Sequence, residues 1–397
     1  MQKVNSCNIE ERRNHVQNVD VEYNLCKELQ NFEQTVQVNP NDYEAFNSWG
    51  NTLGNLAEAK TGKEADNLYK QAFAKYSKAV EINPEFVDTL YNWGTSLGNM
   101  AKTKIGQEAD DLYKQSITKY SKAVELNPDY HEAYGNWGYS LEYLAKTKVG
   151  QEADELYKQA IEKYSKAIEI KSDNYVYFFN WGNALMLLAR TKQGTSAEAL
   201  FKQAFNKYEK VVKIKPDYYE AYNNWGTNLG YLARTKKGKE SEELFEQAFK
   251  KYEKAVRINY NSQYTFGNWG NDLGYLAETK TGKKSEELFK QAFKKYQKAV
   301  QINPDDYKAF YNWGNDLGCL AKTKSGLAAY NLYKKAFEKY EKAVQTNPDY
   351  HDALHNWRFY LEELFKSKTG QEAEDLYNQA FEKYERAVQI NFDDNDS

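Results

Sequence analysis

Apolar positions along the chain fall into two alternating helical stripes. Ala45, Trp49, Leu53, Leu56 and Ala57 lie on one face at helical spacing. Ala65, Leu68, Tyr69, Ala72, Phe73, Tyr76, Ala79 and Val80 form a second stripe. The pattern predicts one helix from about Asp42 to Thr61 and another from about Lys63 to Ile82. Between them Gly62 reads as a left-handed C-cap, free of a Cβ clash. Lys60 falls in the last turn of the first helix and Glu64 in the first turn of the second, each with the sign the helix dipole favours. Pro84 cannot donate to the ladder and ends the second helix.

This pair of stripes repeats. Trp occurs at 49, 93, 137, 181, 225, 269, 313 and 357, always 44 residues apart, and the glycine at 62 recurs on the same grid to 370. All six prolines share one grid position, whose other slots hold Ser172, Tyr260 and Phe392. A fixed period of this size marks a solenoid, and two breakers per unit give two helices rather than three. The expected fold is therefore all-α, a right-handed α-solenoid (superhelix) of eight helical hairpins over residues 41–391. Residues 25–40 match a second helix without its first, so 20–40 is read as an N-terminal cap. Residues 1–19 lack periodicity and are expected to be disordered, and 392–397 form an acidic tail. The recurrent tryptophans are expected in the core.

The segments EAYNNWGTNLG (220–230) and AFKKYEKAVRIN (248–259) resemble the two helices of a tetratricopeptide repeat. Trp225 stands where that family usually has Leu, followed by its small residue, here Gly226. Ala248, Tyr252, Ala255 and Ile258 follow its second-helix spacing, and Pro84 and Pro128 match its terminal proline. The family's unit has about 34 residues, ten fewer than here. Reading each helix as about five residues longer gives spans of about 27–30 Å.

The resemblance implies a concave groove lined by the first helices and a guest protein or peptide within it. The groove positions lie around each Trp. The residue before it is Asn in seven units, among them Asn92, Asn136, Asn180, Asn224, Asn268 and Asn312; two residues after it, Asn183, Asn271 and Asn315 recur. An amide donates and accepts, so such a ladder could hold the backbone of an extended peptide or could brace neighbouring hairpins; both readings stand at this point. Units three and four also place Tyr139, Tyr143, Val176, Phe179, Met186 and Leu187 at groove positions, and other units have Gly54, Gly98, Gly230, Gly274 and Gly318 where Met186 and Glu142 stand. Apolar clusters of this kind form binding hot spots; local repacking around the missing proline at Ser172 is the alternative. A clamp for acidic C-terminal tails is not supported, because the positions it needs hold Asn47, Tyr91, Gly135, Phe179, Asn223, Gly267, Tyr311 and His355.

Charge and chemistry narrow the picture. The chain has 397 residues, 54 basic and 57 acidic, for a net charge of -3, unlike a general nucleic-acid binder. Mean hydropathy is -0.90, fitting a thin body exposed on both sides. No 18-residue apolar run or secretory leader is evident, and the three cysteines Cys7, Cys26 and Cys319 form no metal or disulfide pattern. His351 and His355 stand one helical turn apart but lack a third ligand. No catalytic constellation, metal site or cofactor motif is found, so the expectation is a cytoplasmic, non-enzymatic scaffold or adaptor for proteins or peptides, with no membrane contact. The alternative is an RNA or acidic partner bound along a lysine stripe, Lys75, Lys119, Lys163, Lys251, Lys295 and their grid mates, on the second helices. The last hairpin replaces the small residue by Arg358 and Ala by Phe365, which raises self-association at that end.

Overall fold

Pairs of antiparallel helices follow one another along the whole described chain. The structure, a computed structural model, describes residues 27–366 and 368–395, without the side chains of 373, 384 and 387–395. A helix over 27–38 (α1) leads into eight hairpins. These are Tyr43–Glu58 (α2) with Gly62–Ile82 (α3), Val87–Ala101 (α4) with Gly106–Leu126 (α5), His131–Lys146 (α6) with Gly150–Ile170 (α7), and Tyr175–Arg190 (α8) with Gly194–Ile214 (α9). They continue as Tyr219–Arg234 (α10) with Gly238–Ile258 (α11), Gln263–Glu278 (α12) with Gly282–Ile302 (α13), Tyr307–Lys322 (α14) with Gly326–Thr346 (α15), and His351–Phe365 (α16) with Gln371–Asn395 (α17). No strand occurs among the described residues. The chain divides into two compact units, residues 1–203 and 204–397, with the division inside α9. Each unit is a stack of hairpins, the all-α solenoid architecture.

Local sequence explains the boundaries. Asp42 and Asp306 cap α2 and α14 by accepting from the backbone N–H of Ala45 and Ala309 at 2.9 and 3.0 Å. The Asn of each Asn-Pro signature makes a turn of its own: Asn83 Oδ1 accepts from Glu85 N at 3.1 Å, and Asn127 and Asn303 repeat the bond.

Three boundaries differ from expectation. The first helices stop earlier, because Ala59 N–H and Lys60 N–H fold back onto the carbonyls of Leu56 and Ala57 and tighten the last turn. Gly62 is left-handed, with φ +59, but it opens the second helix rather than capping the first. The unit is therefore lengthened unequally, to 16 and 21 residues in α2 and α3, or about 24 and 31 Å. At the end of the chain α17 continues to Asn395, through four residues read as tail. Phe392 keeps the N–H that Pro84 lacks. At the other end α1 packs Leu29 against the Leu53, Ala72 and Tyr76 cluster, and its Glu28 accepts from Thr52 at 3.2 Å. Residues 1–19 and 20–26 lie outside the described residues.

The centre of a hairpin is a buried tyrosine on the second helix, not the tryptophan. Tyr76, Tyr120, Tyr164, Tyr208, Tyr252, Tyr296 and Tyr340 are all buried. The glycine after Trp makes room for the ring: a Cβ on Gly50 would come within 2.5 Å of Tyr76 Cε1. Each tyrosine hydroxyl still needs a partner. Tyr76 meets Ser96 at 3.2 Å, and Tyr252 and Tyr296 donate to Asp272 and Asp316 at 2.8 and 3.2 Å, so the partner is in each case three residues after the Trp of the next hairpin.

The tryptophans are half-buried. A lysine of the paired second helix lies over each of seven rings, for example Lys75 over Trp49 at 3.4 Å and Lys251 over Trp225 at 3.2 Å from the ring centre. Lys60 and its copies also act differently from a dipole partner. Lys104 Nζ reaches Asp66 of the preceding second helix at 2.6 Å, and Lys148, Lys192, Lys280 and Lys324 clasp Asp110, Asp154, Glu242 and Glu286 in the same way.

Candidate functional site: the first-helix face

Consecutive first helices touch: α2 with α4, α4 with α6 and α6 with α8 in unit 1, and α10 with α12, α12 with α14 and α14 with α16 in unit 2. All the sequence-predicted groove residues stand on these helices. Asn92, Asn136, Asn180, Asn183, Asn224, Asn268, Asn271, Asn312 and Asn315 are half-buried, as are Tyr139, Tyr143, Phe179, Met186 and Leu187.

The asparagines before Trp bond backward along the stack. Asn92 Nδ2 donates to Asn47 Oδ1 at 3.1 Å, Asn136 to Tyr91 Oη at 3.2 Å, and Asn268 to Asn223 Oδ1 and Thr227 Oγ1, both at 3.2 Å. Asn356 likewise donates to Tyr311 Oη and Asn315 Oδ1, both at 2.9 Å. These amides therefore brace one hairpin against the last through Nδ2, which leaves the carbonyl side of Asn92, Asn136 and Asn268 to face other donors.

In unit 1 the apolar residues gather on α6 and α8. The rings of Tyr139 and Tyr143 are 4.6 Å apart, with Lys102 and Lys146 over them at 4.9 and 4.1 Å. Val176 is exposed. Leu187 and Tyr143 also pack inward, against the Ala145–Tyr157–Leu188 and Leu97–Tyr113 clusters. A cleft of about 400 Å³ opens on the other side of α8, lined by Ile161, Leu185, Leu188 and Leu200.

Unit 2 holds a feature that sequence reading missed. Two carboxylates, Asp272 and Asp316, are buried one repeat apart. Gly230 and Gly274 make room for them; a Cβ at either would strike the carboxylate at 2.1 and 2.2 Å. Asp272 receives the Arg234 guanidinium at 2.6 Å and the Tyr252 hydroxyl. Burial pushes its carboxyl above the usual range while Arg234 and Tyr252 pull it back. At Asp316 burial and the nearby Glu278 carboxylate both push upward, opposed by the Tyr296 hydroxyl and the more distant Arg234. Burial also raises Glu278 itself, and pushes the neighbouring Cys319 thiol up to about 12. The signal was present: the position three after Trp reads Thr52, Ser96, Ser140, Ala184, Asn228, Asp272, Asp316 and Tyr360, polar at core spacing in most repeats.

The lysine stripe carries less free charge than its sequence suggests. Its first row lies over indole rings, and burial lowers Lys75, Lys119, Lys251 and Lys339. In the second row Lys78, Lys122 and Lys166 pair with Glu81, Glu125 and Glu169. The His351 and His355 rings stack 6.3 Å apart, and no group of three potential metal ligands occurs among the described residues. Among them no helix is long and apolar enough to cross a membrane.

Helical hairpins on a fixed period, small residues seating a buried second-helix aromatic, and first helices that touch their neighbours within each unit define a tetratricopeptide-repeat protein. A family model described as plant-specific mitochondrial import receptor subunit TOM20 matches residues 81–180 and 283–397, more than half of the chain. The chain belongs to that family. No curated protein matches it in sequence. Among solved structures it is similar to YrrB, described as a TPR protein with an unusual peptide-binding site, at 21% identity and TM-score 0.37, over 60% of this chain and 96% of that one. It is also similar to MamA, at 18% identity and TM-score 0.38 over 54% and 93% of the two chains. A third is TTC0263, a thermophilic TPR protein of Thermus thermophilus, at 15% identity and TM-score 0.40 over 56% and 98%.

Proposed function

We propose that the chain is a receptor-type scaffold that holds an extended peptide or helix of another protein against its first helices, without catalysis of its own. Protein binding agrees with the repeat class and with a family described as an import receptor subunit. The finer placement is our own. The observation that carries it is the aromatic and aliphatic gathering of Tyr139, Tyr143, Phe179 and Met186 on α6 and α8, with Met186 at a position that is glycine in five other repeats. Buried aromatic anchors supply most of the energy at such surfaces. The bracing asparagines hold the wall in register, and the carbonyl oxygens of Asn92, Asn136 and Asn268 offer acceptors to a guest backbone. We place the protein on the cytoplasmic side, where its family description suits a receptor at the mitochondrial surface.

The test is selection of peptides from a random display library on the full chain. Enriched peptides should bind the wild type and lose about tenfold or more on Phe179→Asp with Met186→Asp, the scale of a hot-spot truncation. Undiminished binding by that variant, with the fold intact by circular dichroism, would discard the α6–α8 site.

A further inference from the structure

The seventh hairpin departs from its copies where its second helix begins. The first turns of α15 read Leu327, Ala328, Tyr330 and Asn331, where α13 has Lys283, Lys284, Glu286 and Glu287 and α11 has Lys239, Glu240, Glu242 and Glu243. A cavity of about 780 Å³ opens there, between the α14–α15 turn and the α16–α17 turn, within the range of small-ligand pockets, about 300–1,000 Å³. Leu327, Tyr330, Tyr333 and Leu364 give it an apolar wall, and Lys324 and Lys368 also line it. Tyr333 and Leu364 are buried, whereas Leu327 is 74% exposed, at a position that is polar in every other repeat. The preceding repeats show what belongs beside Lys368. There the lysine at its position clasps a carboxylate of the preceding second helix: Lys104 takes Asp66, and Lys324 takes Glu286. At Lys368 that carboxylate is exchanged for the Tyr330 ring, 4.7 Å away, and the ion partner is the exposed Glu372 of its own hairpin. Charge around the cavity favours an anion: Lys322, Lys324, Lys366 and Lys368 stand against Glu286, Glu363 and Glu372, and the bond from Lys366 holds the Glu363 carboxyl below its usual range.

We propose that this cavity binds a small amphipathic carboxylate, a molecule with one carboxylate on an aromatic or aliphatic body. The carboxylate takes the place beside Lys368 that Asp66 takes beside Lys104. The body lies against Tyr330, Tyr333 and Leu364, and Leu327 covers its outer side. A charge-assisted bond fixes the orientation, and burial of the body and of the Leu327 side chain supplies affinity. The site belongs to unit 2 and stands independently of the peptide site proposed on α6 and α8.

The experiment titrates the full chain by calorimetry with 4-phenylbutyrate and with its neutral isostere 4-phenylbutanamide. The carboxylate should bind about tenfold tighter, the scale of a charge-assisted hydrogen bond. Tyr330→Glu, which restores the acid of the other repeats, should abolish that preference. Lys78→Gln makes the same change in net charge at an exposed position of the first hairpin and should keep it. Leu327→Gln installs the residue that Gln107 and Gln151 supply in α5 and α7, at an exposed site where folding is not at risk. It should weaken both ligands by about threefold or more and leave their ratio unchanged. Equal affinity for the two ligands, an unchanged preference in Tyr330→Glu with its fold intact by circular dichroism, loss of the preference in Lys78→Gln, or undiminished binding by Leu327→Gln would each overturn the site.

Discussion

Lys295 Nζ lies 3.2 Å from the centre of the Trp269 indole, whose ring also stacks at 6.3 Å on Tyr252 of the preceding hairpin. One contact thus ties a second helix to its own first helix and both to the neighbour behind. Burial over the ring pushes the Lys295 ammonium down to about 8, with Glu253 pulling the other way. An unfolded chain would keep the proton to about 10.4.

That difference fixes a pH dependence. Between the two values the unfolded state binds the proton more often than the folded state, so stability rises with pH across this window. Wild type should therefore gain on Lys295→Met in urea unfolding as pH is raised from 7.5 to 10. A constant gap between the two proteins would show that this lysine titrates normally.

The sign reverses for Asp316. Its carboxyl is held well above the usual range, so the unfolded chain gives up the proton first and stability falls as pH rises above about 4. Tyr296, Glu278, Cys319, Tyr340 and Tyr360 face it from the surrounding helices, Arg234 acts on it as a cation, and Lys322 acts on the neighbouring Glu278. Asp316→Asn keeps an acceptor for Tyr296 and removes the charge. It should stabilise the protein at pH 7 by about 1–2 kcal/mol, and by nothing below pH 4, where both states are protonated. Chemical denaturation at the two pH values measures this; equal effects at both would refute it.

Packing at the tyrosine is as exacting as the charge. A Cβ on Gly226 would stand 2.7 Å from Tyr252 Cε1, and the ring is fully enclosed. Gly226→Ala should therefore cost about 1–3 kcal/mol by overpacking, despite alanine's better helix propensity. Its urea midpoint should fall; a midpoint at or above wild type would mean that propensity wins.

The 44-residue grid made the hairpins legible because each breaker acts locally: Asn83 and Pro84 end a helix whatever surrounds them. The unequal helix lengths were hidden, since the tightening of the turn at Ala59 and Lys60 depends on carbonyl geometry that no residue type announces. The groove asparagines were found by position, but whether Asn92 Nδ2 points to a guest or to Asn47 is decided by the distance between adjacent first helices. The lysines were misread for a related reason. Lys75 reads as a surface charge in a helical stripe, and only the packing of α3 on α2 puts it over Trp49. Asp272 and Asp316 escaped notice because a polar residue at core spacing gains meaning only with Tyr252, Tyr296 and Arg234 around it.

The inter-hairpin clasp gives the last test. Lys104 and Asp66 are largely covered and 2.6 Å apart, with Glu108 a second partner of the lysine at 3.4 Å. Partial burial spares the pair some screening, yet a single ion pair near the surface contributes little. A double-mutant cycle of Lys104→Met and Asp66→Asn should give a coupling of about 0.5–1 kcal/mol that weakens in about 1 M salt. The last repeat supplies the contrast: Tyr330 replaces the acid there, and Lys368 lies over its ring at 4.7 Å while pairing with Glu372. Lys368→Met with Tyr330→Leu should show a coupling of about the same size, about 0.5–1 kcal/mol, with less salt dependence, because the ring carries no net charge. Equal salt sensitivity at the two ends would mean that the clasp at Lys104 does not act through charge.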